Sequence, residues 1–223
     1  MKVLVLASAK GGASKTTLAY CMAVAAAHET GLRAVLIDMD PQGSLTGWWR
    51  SREALQPAMA ACTVADLDAK VAALGAEGYD LLVIDTPPQV TASIGAVVAL
   101  ADLVVIPVRP SPIDLASVGR TVEIARKHEK PIAFVLAQAT RGASLTTQAL
   151  AALSAHGPIA GTMHYHVAHA ATAGIGLSLP EHDAKAAGAK DIASIWDYVQ
   201  GKLTPSTKTF KAASTKKKVL AHV

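Results

Sequence analysis

The stretch AKGGASKTT, residues 9–17, decides the fold. It follows the apolar run Lys2–Ala7 and opens Lys15–His28, a segment rich in alanine, leucine and methionine. A loop that holds nucleotide phosphates needs three things. Glycines let backbone N–H groups close around phosphate oxygens, a lysine meets the β/γ charge, and a hydroxyl ligates Mg²⁺. Gly11 and Gly12 supply the first, Lys15 the second and Thr16 the third. The strand–loop–helix context adds the partial positive charge of a helix N-terminus at the same point. The sequence therefore predicts a nucleoside-triphosphate site contacted by Gly11, Gly12, Ala13, Ser14, Lys15, Thr16 and Thr17.

Outward from the loop, strand and helix signals alternate. Gly31 ends the first helix in the role that glycine fills at least cost. Strands are expected at Ala34–Asp38, Asp80–Asp85, Leu103–Val108 and Ile132–Ala137, with a short one near Ile159. Helices are expected at Val64–Leu74, Leu115–His128, Leu145–His156 and Ala184–Lys202. The strands are continuous apolar runs, so both faces of their sheet must be covered. That is an α/β fold of three layers, the P-loop NTPase fold, with a mostly parallel twisted sheet and helices on both faces. The ATPase domain is expected to span residues 1–203, and 204–223, too poor in apolar residues to pack, a basic mobile tail.

The chain has 223 residues, 51% hydrophobic, 4% aromatic and 17% charged, enough for one sizeable core. No apolar run approaches the roughly 18 residues that suggest a membrane-spanning helix. The two cysteines, Cys21 and Cys62, have no metal spacing, and Cys21 lies in an apolar helical run. Reduced thiols and a cytoplasmic setting follow. A reductase built on an iron–sulfur cluster would need other cysteines. Net charge is +4, and Lys208, Lys211, Lys216, Lys217 and Lys218 sit without an acid near the end. Such a tail suggests an anionic partner.

Asp38 and Asp40 lie in LIDMDPQGS and Asp85 in LLVIDTPP, all at expected strand ends. Ligands of open α/β sheets bind beyond the carboxyl ends of the strands, so these acids share an edge with the phosphate loop.

KGGASKTT resembles the deviant Walker A motif of the ParA/MinD family of ATPases, DMDPQ its second motif, and LLVIDTPP its Walker B. IPVRPSPIDLASVG (Ile106–Gly119) resembles its proline-rich loop. The resemblance covers roughly Met1 to Val199, is strong to Gly119 and fades after Thr140. It implies that Lys10 reaches across an ATP-dependent homodimer to the partner's nucleotide, as an arginine finger would. It implies that Asp40 positions the attacking water, and that Thr16, Asp38 and Asp85 serve Mg²⁺. Pro110, Ser111, Pro112 and Asp114 would line the nucleotide and the dimer interface, and Gln42 and Thr86–Pro88 would sense the γ-phosphate. Position 14 departs from the family's glycine. Ser14 reads either as a tolerated variant or as a brake on turnover. Trp48 and Trp49 read equally as core or as interface. His164, His166 and His169 are spaced for surface or interface positions rather than for a metal, and His166 takes a place where the family often has arginine.

The first strand starts at residue 2, so the resemblance is to the short ParA type without an N-terminal helix-turn-helix domain. Such proteins bind DNA without sequence preference when ATP-bound, sit on the nucleoid, and release when a ParB-like or other adaptor stimulates slow hydrolysis. Arg141, Lys185, Lys190, Lys202, Lys216, Lys217 and Lys218 are the candidate DNA contacts. The expected function is partition of a plasmid, chromosome or other cargo. A MinD-like membrane switch is the alternative. It would need an amphipathic C-terminal helix, and Val219, Leu220 and Val223 offer little apolar surface for one.

Overall fold

Five-residue runs such as KVLVL, AVLID and LLVID bury nearly every side chain, as strands do only inside a sheet covered on both faces. The structure, a computed structural model, describes residues 1–88 and 92–204. The strands are β1 (Lys2–Leu6), β2 (Ala34–Asp38), β3 (Ala58–Ala60), β4 (Leu81–Asp85), β5 (Leu103–Val108), β6 (Ile132–Ala139) and β7 (Ile159–His164). They form one seven-stranded sheet in the order β3-β2-β4-β1-β5-β6-β7. Every pairing is parallel, so the sheet is wholly rather than mostly parallel.

The helices are α1 (Lys15–Thr30), α2 (Ser44–Arg50), α3 (Leu67–Ala76), α4 (Ala92–Ala99), α5 (Pro112–Lys127), α6 (Ser144–Ser154), α7 (Val167–Ala173), α8 (Leu179–His182) and α9 (Ala187–Leu203). Alternate side chains of each strand feed opposite cores. Leu4, Leu6, Leu36, Val83 and Val105 pack with α1 and α9. Val3, Val5, Ile37, Ile84, Val104 and Ile106 pack with α3, α4, α5 and α6. The three-layer expectation holds.

Helix α1 is buried from Leu18 through Ala26. Its alanines let it lie close on the sheet while α2, α8 and α9 close around it. It ends at Gly31, whose φ of 67° and N–H bond to the Ala26 carbonyl form the expected left-handed cap. Cys21 is a buried free thiol, and burial pushes its pKa well up. The sequence reading lacked α2, β3, α4, α7 and α8, all of eight residues or fewer. Trp48 belongs to the core. It is 5% exposed, and its ring stacks on Tyr20 with centroids 4.5 Å apart. Trp49 is half-buried and donates to the Pro57 carbonyl at 3.0 Å.

One buried ion pair ties the α2 end of the sheet to α8. The Arg52 side chain is fully buried, donates to both Glu181 carboxylate oxygens and to the Gly176 carbonyl, and lies over the Trp48 ring. Gly176 has φ 71°, and a side chain there would meet Ser51 backbone atoms at 2.5 Å, so the α7–α8 turn rests directly on the end of α2. Burial alone would raise the Glu181 pKa, but hydrogen bonds from Arg52 and Ser178 outweigh it and hold the carboxyl below its ordinary value.

A glutamate depressed in this way adds stability above its unfolded pKa. That stability is lost as pH falls through the folded pKa. Glu181→Gln, which strands the Arg52 charge, is expected to cost about 3–5 kcal/mol near neutral pH. Urea unfolding of both proteins at pH 7 and again at pH 3–4 checks this: the gap should narrow in acid.

Candidate nucleotide site

Parallel register brings the site together. Leu6, the last residue of β1, pairs with Asp85, and Asp85 pairs in turn with Asp38. The phosphate loop and two of the expected carboxylates therefore leave the sheet side by side, at the carboxyl edge where α/β proteins bind ligands.

The loop turns through left-handed backbone at Gly12 (φ 70°) and again at Ser14 (φ 67°, ψ 25°). Glycine meets the first requirement freely, whereas serine meets the second at a cost. Lys15 is 6% exposed, and its Nζ lies 3.4 Å from the Lys10 carbonyl. Burial lowers its pKa against the pull of Asp85 and Asp40. Asp85 is 1% exposed. It accepts from the Thr16 hydroxyl through Oδ2, while Oδ1 is buried and has no partner among the described residues. Burial pushes its pKa up to about 7, despite the Thr16 bond and the Lys15 charge.

That orphaned oxygen tests whether the residues suit a divalent cation. A buried carboxylate with a free oxygen, next to a threonine hydroxyl, is a hard oxygen donor set of the kind that Mg²⁺ takes. Asp38 is more heavily engaged. It accepts from the Thr46 N–H at 2.8 Å, the Thr46 hydroxyl at 3.0 Å and the Asp40 N–H at 3.1 Å. Asp40 accepts from the Gln42 N–H at 3.0 Å, and Asp40 and Gln42 flank the phosphate groove.

Two cavities meet at the loop. A groove of about 360 Å³ is lined by Gly11 through Thr17, Asp40, Gln42, Ser44, Pro88 and Gln138. A larger cavity of about 510 Å³ lies beside it, between α2 and α7, and shares Ser14, Thr16, Thr17, Ser44 and Gln138. Tyr20, Trp48 and Met163 give it apolar walls.

Of the proline-rich loop, Pro110, Ser111 and Pro112 line neither cavity. Asp114 is buried and holds Arg109 through Nε (3.2 Å) and Nη2 (3.0 Å). The remaining nitrogen, Nη1, lies 3.7 Å from where a Gly12 side chain would begin. Arg109 is thus a cation at the phosphate loop that the sequence reading passed over, although IPVRPSP displays it. Gln138 was also missed. It donates to the Gly12 carbonyl at 2.7 Å and to the Ser14 hydroxyl at 3.0 Å.

The histidines correct the surface expectation. His169 is 8% exposed, and burial followed by the neighbouring His166 lowers its pKa. His164 bonds Asp191 at 2.8 Å through Nδ1. Among the described residues no group of three or more histidine, cysteine or acidic side chains is arranged to hold a metal ion.

Four of the candidate DNA contacts lie among the described residues. Arg141, Lys185, Lys190 and Lys202 are all exposed. Arg141 lies 3.4 Å from Asp191, near the start of α9. Lys202 is in the last turn of α9, its ammonium over the Tyr198 ring. At 1.5 Å per residue it is about 18 Å along the helix from Lys190. Lys216, Lys217 and Lys218 lie outside the described residues, as does the rest of the expected tail beyond Thr204 and the Val219–Val223 segment weighed for a membrane.

Residues 4–178 match the CobQ/CobB/MinD/ParA nucleotide binding domain family, well over half of the chain. The chain belongs to this family. Among characterised relatives, the maintenance of carboxysome distribution protein A of Gloeobacter kilaueensis is 41% identical over 127 residues. That match spans 56% of each chain, little more than half of the relative's length. Among solved structures, the MinC:MinD cell division complex of Aquifex aeolicus contains a chain with a TM-score of 0.76 and 19% identity, over 92% of this chain and 98% of that one. A putative plasmid partition protein of Borrelia burgdorferi, bound to AMPPNP, gives 0.73 and 18% over 90% and 99%. At such identities the structures speak for the fold alone, which is the ParA/MinD form of the P-loop NTPase fold. Among the described residues no helix is long and apolar enough to cross a membrane.

Gly12→Ala places a side chain at φ 70° with no steric clash, so backbone strain alone acts. It is expected to lower the stability of the nucleotide-free protein by about 1–2 kcal/mol, read by denaturant unfolding.

Proposed function

We propose that the chain is an ATP-dependent dimerising switch that binds DNA without sequence preference and hydrolyses ATP to partition or position a cargo. The observation that carries the nucleotide part is Asp85: a buried carboxylate with a free oxygen, set against Thr16 and Lys15 at the mouth of a left-handed glycine loop. A triphosphate in the 360 Å³ groove meets loop N–H groups, the N-terminus of α1 and the Lys15 ammonium. The base occupies the 510 Å³ cavity, whose aromatic and apolar walls suit a flat ring.

Thr16, Asp85 and Asp38 hold Mg²⁺, which when bound offsets phosphate charge. Asp40 orients the attacking water from its place at the groove. Lys10 acts on the nucleotide of a second copy, so turnover requires the dimer. Because two chains must sandwich two nucleotides, ATP binding becomes a signal that a partner protein of the ParB or adaptor kind reads and resets by stimulating hydrolysis. Membership of a family that includes ParA and MinD supports this cycle, and the carboxysome-distribution relative supports a large protein assembly as well as a DNA element as cargo. The DNA contacts are drawn from Arg141, Lys185 and Lys190 near the start of α9, from Lys202 in its last turn, and from Lys216, Lys217 and Lys218. The protein acts in the cytoplasm, on the nucleoid.

Lys15→Ala should abolish ATP binding measured by fluorescent-nucleotide titration; an unchanged affinity would sink the phosphate-loop assignment. Asp40→Ala should bind ATP yet hydrolyse it at least 100-fold more slowly, the scale typical of lost acid–base or water-positioning groups. To test the partner, the protein with ATP and Mg²⁺ is offered double-stranded DNA or anionic vesicles in sedimentation assays across a salt series. Retention by DNA that weakens with salt supports the proposal. Retention by vesicles alone replaces it with a membrane switch.

A further inference from the structure

Two residues other than glycine occupy left-handed backbone and touch each other at the site: Ser14 (φ 67°) and Gln138 (φ 55°). Left-handed conformation is unfavourable for residues with a side chain, and when two such residues meet at a ligand groove the surroundings must hold them there. Gln138 owes its place to an irregularity in the sheet. The β6–β7 register shifts between Ala137 and Ala139, the form a bulge takes when it re-aims a side chain. The re-aimed amide crosses from β6 to the phosphate loop. Its Nε2 donates to the Gly12 carbonyl and to the Ser14 hydroxyl, which lie on either side of the buried Ala13. One amide nitrogen therefore spans the turn that aims the loop's N–H groups.

We propose that Gln138 is a positioning residue of the nucleotide site, which holds the phosphate loop in its binding form by bridging the Gly12 carbonyl and the Ser14 hydroxyl. The inference rests on the reading of residues 9–17 as the phosphate loop of an ATPase. With glycine at position 14 the loop would adopt the left-handed turn without support. With serine the turn competes against ordinary right-handed or extended backbone, and the fraction of competent loops scales the apparent affinity. Gln138 restores that fraction through two hydrogen bonds that only the competent turn accepts. Ser14 is thus neither a silent variant nor in itself a defect, because its hydroxyl is the handle that the amide grips.

Position also offers Gln138 a different role. It lines both the phosphate groove and the larger cavity, so a contact with the base is the competing role. The two roles differ in what they predict for a ligand that has no base.

The test uses the full chain in four forms: wild type, Gln138→Gly, Ser14→Gly and the double variant. Glycine at 138 keeps the left-handed backbone and removes only the side chain. If that variant does not fold, Gln138→Asn replaces it, since asparagine tolerates this conformation but is too short to span both partners. Fluorescent ATP is titrated with Mg²⁺, and inorganic tripolyphosphate is titrated as a competitor. Gln138→Gly is expected to weaken ATP and tripolyphosphate alike by about tenfold, the scale of one or two net hydrogen bonds. In the Ser14→Gly background the same change is expected to cost less than about threefold.

Unchanged affinity for both ligands overturns the proposal. So does a loss confined to ATP, or an equal loss whether position 14 is serine or glycine. Lys15→Ala serves as the control that separates the two levels. If it still binds ATP, the phosphate-loop reading has failed. If it does not bind and Gln138→Gly is unaffected, only the role of Gln138 has failed.

Discussion

Strand register is the constraint on which the site depends. β2, β4 and β1 run parallel and in phase, so that Asp38, Asp85 and Leu6 end at one level. A slip of one residue would turn each of these side chains to the other face of the sheet. It would also move the phosphate loop away from its acids. Burial enforces the phase, because both faces of all three strands carry apolar side chains that have no other place to go. The apolar core thus sets the position of a polar site without contributing an atom to its chemistry.

Electrostatics follow from that placement. Asp85 is buried, and among the described residues its carboxylate has Thr16 alone as a hydrogen-bond partner, so burial raises its pKa. Lys15 is depressed by the same burial, and the two groups lean on each other across the loop. An isolated buried charge is expensive, which is why burial moves both groups towards their neutral forms. Asp38 contrasts with this. Its oxygens already serve Thr46 and the turn at Asp40, which ties the acid-bearing loop to the start of α2.

Much of this was legible in the sequence. Long apolar runs identify five of the strands to within about two residues, because a sheet covered on both faces takes few polar side chains away from its ends. The glycine loop and the acid motifs carry their chemistry in residue type and spacing. What stayed hidden has physical reasons. β3 has three residues and α8 four, too few for a period to show. Helix α7 lies in VAHAATA, which has little apolar contrast, and His169 is buried by contacts that α8 and α9 supply. Arg109 stood in plain view beside two prolines, but only the fold reveals that Asp114 turns it towards Gly12. Gln138 was beyond reach altogether, since its aim depends on a register shift between β6 and β7. Ser14 could be marked as a departure from the sequence alone, and the structure adds its contact with the Gln138 amide.

The strand order has a consequence for how the molecule comes into being. β1 is at the centre of the sheet, between β4 and β5, so the first strand of the chain is flanked by partners that begin at Leu81 and Leu103. The loop that follows it meets residues as distant as Gln138. A segment so apolar has to wait until the chain has been made as far as Asp85 for one partner and as far as Val108 for the other. Long-range closures of this kind are slow and leave strand edges open in the meantime. The glycine loop therefore reaches its folded surroundings only after distant strands have closed on β1. Until β4 and β5 arrive, the apolar strand that leads into the glycine loop is an open edge of the kind that invites aggregation.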